Sequence, residues 1–340
     1  DFRCRLAPPE NRGRMLLGNL VSNDMPVPCE AGAVDVVGLT ADSRAVEHGF
    51  LFAALQGQST DGAQFIGDAV ERGAVAVLAG RSTKIDSTAD TIVIRADDPR
   101  KALALMAARF YPRQPEKLVA VTGTSGKTSV AAFTQQIFEA AGTSSASIGT
   151  LGVVSRSWTE TGSLTTPDPV TLHQILDRLA GAGVTHAALE ASSHGLDQRR
   201  LDGLRLVAAG FTNLGRDHLD YHANVADYLA AKLRLFTDIL PPDGTAVIEM
   251  DDLHSAQVAA TARERGQSVI GVGRRGNELH LDDISPEGSG QRLTLEAFGK
   301  PYSVRLPLAG GFQVSNALVA AGLAIGAGVD PEVALAALED

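Results

Sequence analysis

The amino-acid sequence predicts an α/β protein with a small N-terminal α/β domain followed by a domain whose mostly parallel sheet is flanked by helices. Three observations predict this class. Short apolar runs typical of buried strands alternate with longer amphipathic stretches typical of helices. One apolar run ends in a glycine-rich turn that opens a helix. The length of 340 residues is enough for two or three domains.

The N-terminal block, residues 34–110, predicts short β/α units joined by turns. The helix at 98–111 has the clearest start, because Asp98 can cap it and Pro99 suits the first helical position. Residues 111–117 (YPRQPEK) then predict a linker, so we expect domains at 1–112 and 113–340. The other predicted elements of this block are strands at 51–55, 74–80 and 91–96 and a helix at 63–73.

The second block alternates strands and helices more clearly, which predicts a parallel sheet covered on both faces. Residues 278–308 predict a small antiparallel sheet appended to it. The Gly- and Ala-rich stretch 310–329 predicts a helix packed close to its neighbours. The remaining predictions are strands at 118–123, 145–152, 186–192, 206–214 and 244–250, and helices at 129–141, 169–181, 227–239 and 331–338.

Composition and charge exclude several classes of function. The net charge of −10 argues against non-specific binding to nucleic acid or to anionic membranes, because both need a basic face. Cys4 and Cys29 are the only cysteines, so no disulfide framework is expected and a reducing cytoplasm is predicted. The sequence has no signal peptide pattern, and no apolar run reaches the roughly 18 residues of a membrane span.

The segment 119–133 (VAVTGTSGKTSVAAF) predicts a phosphate-binding loop between a buried strand and a helix. Lys127 can reach the β- and γ-phosphates of a nucleotide, and the Thr128 hydroxyl can bind Mg²⁺. Val121 stands where the usual P-loop has its first glycine, so this is a shortened G-x-x-G-K-T variant, with an ordinary strand-to-helix turn as the alternative. The candidate nucleotide-binding residues are Gly123, Thr124, Ser125, Gly126, Lys127, Thr128 and Ser129.

Two further polar segments follow predicted strands. In 189–200 (LEASSHGLDQRR), Glu190 near a strand end suits a hard cation such as Mg²⁺. The neighbouring Ser193 and His194 could suggest a hydrolase, but no G-x-S-x-G elbow surrounds them. The end of this segment, Gln198, Arg199 and Arg200, could bind a phosphate or carboxylate, or form a solvated charged turn. In 211–222 (FTNLGRDHLDYH), five ionisable groups could form a metal site or include structural histidines.

Two other residues are ambiguous from the sequence. Lys232 lies on a predicted amphipathic helix, where a lysine normally faces solvent. Asn316, in an Ala-rich helix, could cap, pack or bind a base.

Six segments in combination resemble the Mur ligases, the ATP-dependent amide-forming enzymes of bacterial cell-wall synthesis. They are TGTSGKTS, TTPDP, LEASSHGL, FTNLGRDHLDYH, YLAAKLRLF and GGFQVSNALVA, in that order. The resemblance runs from about residue 35 to residue 338. SSHGL together with TNLGRDHLDYH is similar to the MurE type, which adds meso-diaminopimelate or L-lysine as the third residue to UDP-N-acetylmuramoyl-L-alanyl-D-glutamate.

The resemblance implies an ADP-forming ligase that uses ATP and two Mg²⁺ ions and works through an acyl phosphate. The implied catalytic residues are Lys127, His218 and Lys232, with Lys232 carbamylated. The implied metal ligands are Thr128, Glu190, His218 and carbamylated Lys232, and Asn316 would approach the adenine. The implied partners are the muramoyl dipeptide, ATP and an amino acid, with no nucleic acid and no membrane, for a monomer in the cytoplasm.

The resemblance also implies two groups of substrate contacts. The muramoyl peptide and diphosphate would be bound by Thr165, Thr166, Ser192, Gln198 and Arg200. The uridine or its diphosphate would be bound in the first domain by Ala41, Ser43, Gln58, Ser59 and Thr60, although Gln58 and Ser59 differ from the His-Gln pair of some relatives.

One departure from the family pattern concerns the end of the chain. Mur ligases have a third, Rossmann-like domain that selects the amino acid, and we expect this sequence to end before that domain. We therefore expect the chain to bind substrates without completing ligation. The alternatives are another Mur-like ligase, such as folylpolyglutamate synthetase or part of a cyanophycin synthetase, and a nucleotide-binding module without ligase activity. The former synthetase lacks a uridine-binding domain, and a module would have no need of Glu190, His218 and Lys232.

Overall fold

The computed structural model describes residues 13–21, 25, 29–57, 60–85, 91–156, 158–162, 164–215 and 221–339. The predictions made for Gln58, Ser59 and His218 lie outside these residues. The chain divides into two compact units, Asp1–Pro112 and Arg113–Asp340.

The first unit is built on a four-stranded parallel sheet in the order β3-β4-β5-β6. Asp98 caps the last helix as its sequence predicts, since it accepts a hydrogen bond from the Lys101 N–H at 3.0 Å. The elements are β1 (Met15–Leu16), α1 (Leu17–Leu20), α2 (Cys29–Gly32), β2 (Asp35–Val36), β3 (Gly38–Thr40), β4 (Phe50–Ala53), α3 (Ile66–Glu71), β5 (Ala76–Gly80), β6 (Ile92–Ala96) and α4 (Pro99–Phe110).

The second unit contains one eleven-stranded sheet and seven helices among its described residues. Its strands are β7 (Lys117–Thr122), β8 (Ser145–Gly149), β9 (Gly152–Ser155), β10 (Thr159–Glu160), β11 (His186–Glu190), β12 (Leu206–Phe211), β13 (Thr245–Glu249), β14 (Ser268–Gly273), β15 (Leu279–Glu287), β16 (Gly290–Ala297) and β17 (Lys300–Leu306). Its helices are α5 (Lys127–Ala140), α6 (Pro169–Gly181), α7 (Ser193–Asp197), α8 (Val225–Arg234), α9 (Ser255–Glu264), α10 (Gly311–Gly326) and α11 (Pro331–Ala336).

The strand order β10-β9-β8-β11-β7-β12-β13-β14-β15-β16-β17 confirms the predicted fold class. Strands from β8 to β14 in this order pair in parallel, and β7 lies between β11 and β12. Strands β15 to β17 are antiparallel to one another and continue the same sheet. Because the central strands are parallel, their carboxyl ends meet at one edge, where α/β proteins bind ligands.

Two of the predicted elements of this unit are divided in the structure. Residues 145–152 were predicted as one strand, but β8 ends at Gly149 and the chain reverses into the antiparallel strand β9. Gly152 has a φ of 90°, which lets the turn close. The helix predicted at 227–239 is α8 followed by a π-helical turn at Leu235–Ile239.

The core of this unit lies in two layers, one on each face of the sheet. One layer packs α6, α8 and α9 against the strands, and the other packs α5, α10 and α11. Ten residues of α10 are buried, in agreement with the prediction of a closely packed helix. None of the described helices combines the length and apolar character that crossing a bilayer requires.

Candidate functional site

The predicted phosphate loop lies between β7 and α5, at the carboxyl edge of the sheet. Gly126 caps α5 with a φ of 90°, a left-handed conformation that favours glycine. A Cβ at Gly126 would also overlap Asn316 Oδ1 and lie 3.1 Å from its Cγ. The loop is fixed to the residues after β12, because Asn213 accepts from the Thr124 N–H at 2.9 Å and, through Oδ1, from the Ser125 N–H at 3.0 Å. Helix α5 begins at Lys127, two residues before its predicted start.

Two lysine side chains converge on one carbonyl oxygen of this loop. Lys127 Nζ donates to Gly123 O at 2.9 Å and to Thr124 O at 3.0 Å. Lys232 Nζ donates to the same Gly123 O at 2.8 Å, and it lies 4.2 Å from the centre of the Tyr228 ring. The sequence pattern placed Lys232 on a solvated face, which is wrong, since this residue is only 1% exposed.

Glu190 is the last residue of β11 and is only 2% exposed. Its Oε2 accepts from the Thr128 hydroxyl at 3.0 Å, and its Oε1 accepts from the Thr150 N–H at 2.8 Å. The structure thus brings together the carboxylate and the hydroxyl that the sequence singled out as Mg²⁺ ligands. Thr150 had no signal in the sequence beyond its position in a predicted strand.

The Thr128 and Glu190 pair fits Mg²⁺ by its chemistry. Both offer oxygen donors, and Mg²⁺ on a nucleotide typically takes one or two protein oxygens while phosphates and water supply the rest. Within the described ranges, no group of three His, Cys, Asp or Glu side chains could hold a metal alone. The alternative of a zinc site at 211–222 involves residues 216–220, which lie outside those ranges.

The segment 164–168 packs beside this pair. The Thr166 hydroxyl donates to Glu190 O at 2.8 Å and accepts from the Ser192 N–H at 3.0 Å, so it joins the segment to the end of β11. Thr165 Oγ1 lies 3.1 Å from Thr150 Oγ1. The cap of α6 is Asp168, which accepts from two backbone N–H groups.

The other predicted substrate residues of this unit flank the short helix α7, with Ser192 before it and Gln198 and Arg200 after it. Ser192 caps α7 through a bond from the Gly195 N–H to its Oγ at 3.0 Å. Arg200 donates to Thr166 O at 2.6 Å and, through Nη2, to Gln198 Oε1 at 2.7 Å. Gln198 and Arg200 therefore form one preorganised pair next to the 164–168 segment.

A cavity of about 370 Å³ opens on the other side of the loop. Asn316 is 6% exposed and lines it, and Phe312, which is 68% exposed, lies at the same cavity. A planar base could stack on an aromatic ring while an amide reads its edge. Its lining residues are Ser125, Gly126, Thr212, Asn213, Glu249, Asp251, Asp252, Phe312, Ser315 and Asn316. Of these lining residues, only Ser125, Gly126 and Asn316 were named from the sequence. The sequence pattern of polar residues after a strand does not distinguish a binding site from an ordinary turn.

Glu249 is the unusual ionisable group of this cavity. Burial, with the neighbouring charge of Asp251, raises the pKa of its carboxyl to about 7. Its two oxygens accept from the Asp251 N–H at 3.2 Å and the Asp252 N–H at 3.0 Å. The cavity wall therefore changes charge near neutral pH.

In the first unit, the predicted uridine residues follow neighbouring parallel strands. Ala41 and Ser43 come directly after β3, and Ser43 begins a single 3₁₀ turn capped by Asp42. Thr60 follows β4, and its carbonyl accepts from the Gly57 N–H at 2.9 Å. Ala41 and Thr60 are exposed, and both loops leave the same edge of the four-stranded sheet.

Family models match most of the chain. The model described as "Mur ligase middle domain" matches residues 121–324. The model described as "Mur ligase family, catalytic domain" matches residues 35–111.

Individual relatives agree with these matches. The chain is 56% identical over 311 residues to the UDP-N-acetylmuramoyl-L-alanyl-D-glutamate–2,6-diaminopimelate ligase of Brucella melitensis biotype 1. The matched region covers 92% of this chain and 64% of that relative. It is 54% identical to the ligase of the same name from Bradyrhizobium diazoefficiens, over 96% of this chain and 67% of the relative. A solved structure of a ligase of that name has a TM-score of 0.84 and 28% identity, over 96% of this chain and 66% of the other. The chain thus spans 64% of the length of the first of these relatives.

Proposed function

We propose that this chain, which belongs to the Mur ligase family, functions in an ATP-dependent, ADP-forming amide-ligase reaction of peptidoglycan-precursor synthesis. The proposed acceptor is UDP-N-acetylmuramoyl-L-alanyl-D-glutamate. The names of its relatives support 2,6-diaminopimelate as the added residue, over the L-lysine that the sequence left open. We further propose a monomer that acts in the cytoplasm, where nucleotide-linked precursors and ATP are available.

One observation carries the proposal. At the N-terminus of α5, the Thr128 hydroxyl and the Glu190 carboxylate meet at 3.0 Å beside a loop that two lysines contact. Backbone N–H groups at a helix N-terminus favour phosphates, and the oxygen pair favours the cation that accompanies them. A nucleotide triphosphate with Mg²⁺ matches both halves of this arrangement.

The proposed chemistry has two steps. The γ-carboxylate of the D-glutamate residue attacks the γ-phosphate of ATP, which forms an acyl phosphate and releases ADP. The amine of the incoming amino acid then attacks the acyl carbon, and inorganic phosphate leaves as the amide forms. Lys127 would stabilise the phosphoryl group in flight, and Asn316 would bind the adenine. Mg²⁺ would neutralise phosphate charge, with Thr128 and Glu190 as ligands of one ion and His218 as a ligand of a second.

Charge repulsion between two lysines gives a physical reason for the proposed carbamylation of Lys232. The ammonium groups of the partly buried Lys127 and the buried Lys232 bond the same carbonyl oxygen and repel each other. If the neutral Lys232 amine adds CO₂ and releases a proton, it becomes an anion beside Lys127, and repulsion turns into attraction. The carbamate oxygens would also suit Mg²⁺.

The muramoyl peptide and diphosphate would contact the 164–168 segment and the Gln198–Arg200 pair. Of the residues proposed for this, Gln198 and Arg200 carry amide and guanidinium N–H groups, which are the groups that bind carboxylates and phosphates. Thr166 already bonds Glu190 O and the Ser192 N–H, so its contribution would be the shape of the segment. The uridine would lie at the edge of the first sheet that carries Ala41, Ser43 and Thr60, together with Gln58 and Ser59.

Calorimetric titration of the chain with UDP-N-acetylmuramoyl-L-alanyl-D-glutamate, with UMP as the control ligand, tests the proposal. We expect the muramoyl dipeptide to bind much more tightly than UMP, because it adds peptide and diphosphate contacts. Failure of both ligands to bind, with ADP still bound in the presence of Mg²⁺, would contradict the muramoyl substrate and favour a nucleotide-binding module.

A further inference from the structure

The turn between β8 and β9 holds the Glu190 carboxylate. The Thr150 N–H donates to Glu190 Oε1 at 2.8 Å, and the Thr150 hydroxyl donates to Oε2 at 3.3 Å. Together with Thr128, these groups give the buried carboxylate three hydrogen bonds. A buried carboxylate without such partners would cost free energy, and these bonds fix its orientation.

Steric contact fixes the carboxylate further. A Cβ at Gly149 would overlap Glu190 Oε1 and lie 2.5 Å from its Cδ. The carboxylate therefore rests directly on the backbone at the end of β8. Movement of the Gly149–Thr150 turn would move the carboxylate with it.

The same turn reaches the proposed substrate segment. Thr165 Oγ1 lies 3.1 Å from Thr150 Oγ1. A hydroxyl has one proton to donate, and Thr150 uses its proton on Glu190, so Thr165 is the donor in this pair. The hydrogen bonds then run from Thr165 through Thr150 to Glu190. Thr166 joins the same segment to the backbone of Glu190.

We propose that Thr150 is a positioning residue, which holds the Glu190 carboxylate in its metal-binding orientation and links it to the substrate segment at Thr165. The proposal rests on the proposed role of Glu190 as a Mg²⁺ ligand. Residues that orient metal ligands typically contribute 10- to 100-fold to metal affinity.

Binding of ADP, measured by calorimetry across a series of Mg²⁺ concentrations and in EDTA, tests this inference. Thr150→Val keeps the side-chain shape and the backbone N–H but removes the hydroxyl. We expect the Mg²⁺ concentration for half-maximal enhancement of ADP binding to rise about 10-fold, with affinity in EDTA unchanged. Thr150→Ser restores the hydroxyl and should stay within about 2-fold of the parent chain. The matched control is Thr185→Val, which removes a hydroxyl bonded to Ser144 O, away from the site.

A double-mutant cycle with Glu190→Gln separates the two proposals. If Thr150 acts through Glu190, Thr150→Val should have no further effect on Mg²⁺ dependence in the Glu190→Gln background. An unchanged Mg²⁺ dependence in Thr150→Val alone, or an additive effect in the double variant, overturns the role of Thr150. An unchanged Mg²⁺ dependence in Glu190→Gln instead overturns the metal role of Glu190 itself. Should Glu190→Gln fail to fold, the comparison of Thr150→Val with Thr150→Ser still decides the question.

Discussion

Gly126→Ala should destabilise the second unit and weaken nucleotide binding, for two separable reasons. The first is the φ of 90°, which costs a residue with a Cβ about 1 to 2 kcal/mol. The second is the overlap of the new Cβ with Asn316 Oδ1, which forces the amide or the loop to move. Forced overlap in a packed region typically costs about 1 to 3 kcal/mol more.

Gly142→Ala provides the matched control. Gly142 also has a left-handed φ, of 79°, but a Cβ there would meet nothing within 4 Å. It should therefore show only the first cost. Adding Asn316→Ala to Gly126→Ala should recover the second cost, when compared with Asn316→Ala alone.

Urea unfolding followed by Trp158 fluorescence measures these differences. Trp158 is the only tryptophan of the chain and belongs to the unit Arg113–Asp340, so its signal reports on that unit. ADP affinity should fall in Gly126→Ala and not in Gly142→Ala. The reasoning is refuted if the two alanine variants lose equal stability, or if Asn316→Ala recovers none of the loss.

Three further outcomes are expected. The carboxyl of Glu249 has its pKa raised to about 7 from 4.5, so its folded state binds more protons between these values, and its contribution should lower the free energy of unfolding by about 3 kcal/mol as pH rises from 4.5 to 7. The difference in free energy of unfolding between the parent chain and Glu249→Gln, measured by urea unfolding, should change by this amount over the range, and a difference that is constant with pH would contradict the assignment. Burial lowers the pKa of His173 to about 4 from 6.5, so the unfolded state binds more protons on this group, and its contribution should lower the free energy of unfolding by about 3 kcal/mol as pH drops from 6.5 to 4. The difference in free energy of unfolding between the parent chain and His173→Gln should change by this amount over the range, and equal pH dependence in the two proteins would exclude this contribution. Crystals grown with bicarbonate should show carbamate density on Lys232, and density for an unmodified amine at saturating CO₂ would argue against the modification.

Local patterns predicted much of the second unit. The Asp168-Pro169 pair marks the start of α6, and its predicted bounds agree with those observed, because capping and the fixed φ of proline act within a few residues. Glu190 was placed at a strand end for a similar reason, since an apolar run followed by polar residues marks where a buried strand leaves the core. The antiparallel strands at 278–308 also followed from local pattern.

The sequence by itself determined the α/β class, the phosphate loop and, by resemblance, the family. Only the tertiary structure brought Lys232 onto Gly123, 109 residues away, and rested the Glu190 carboxylate on Gly149. An amphipathic pattern shows which face of a helix is apolar. It does not show that the Lys232 side chain donates a hydrogen bond to the phosphate loop. Such contacts depend on strand order and on the exact packing of helices on the sheet, which many distant residues set together, so no local pattern carries them.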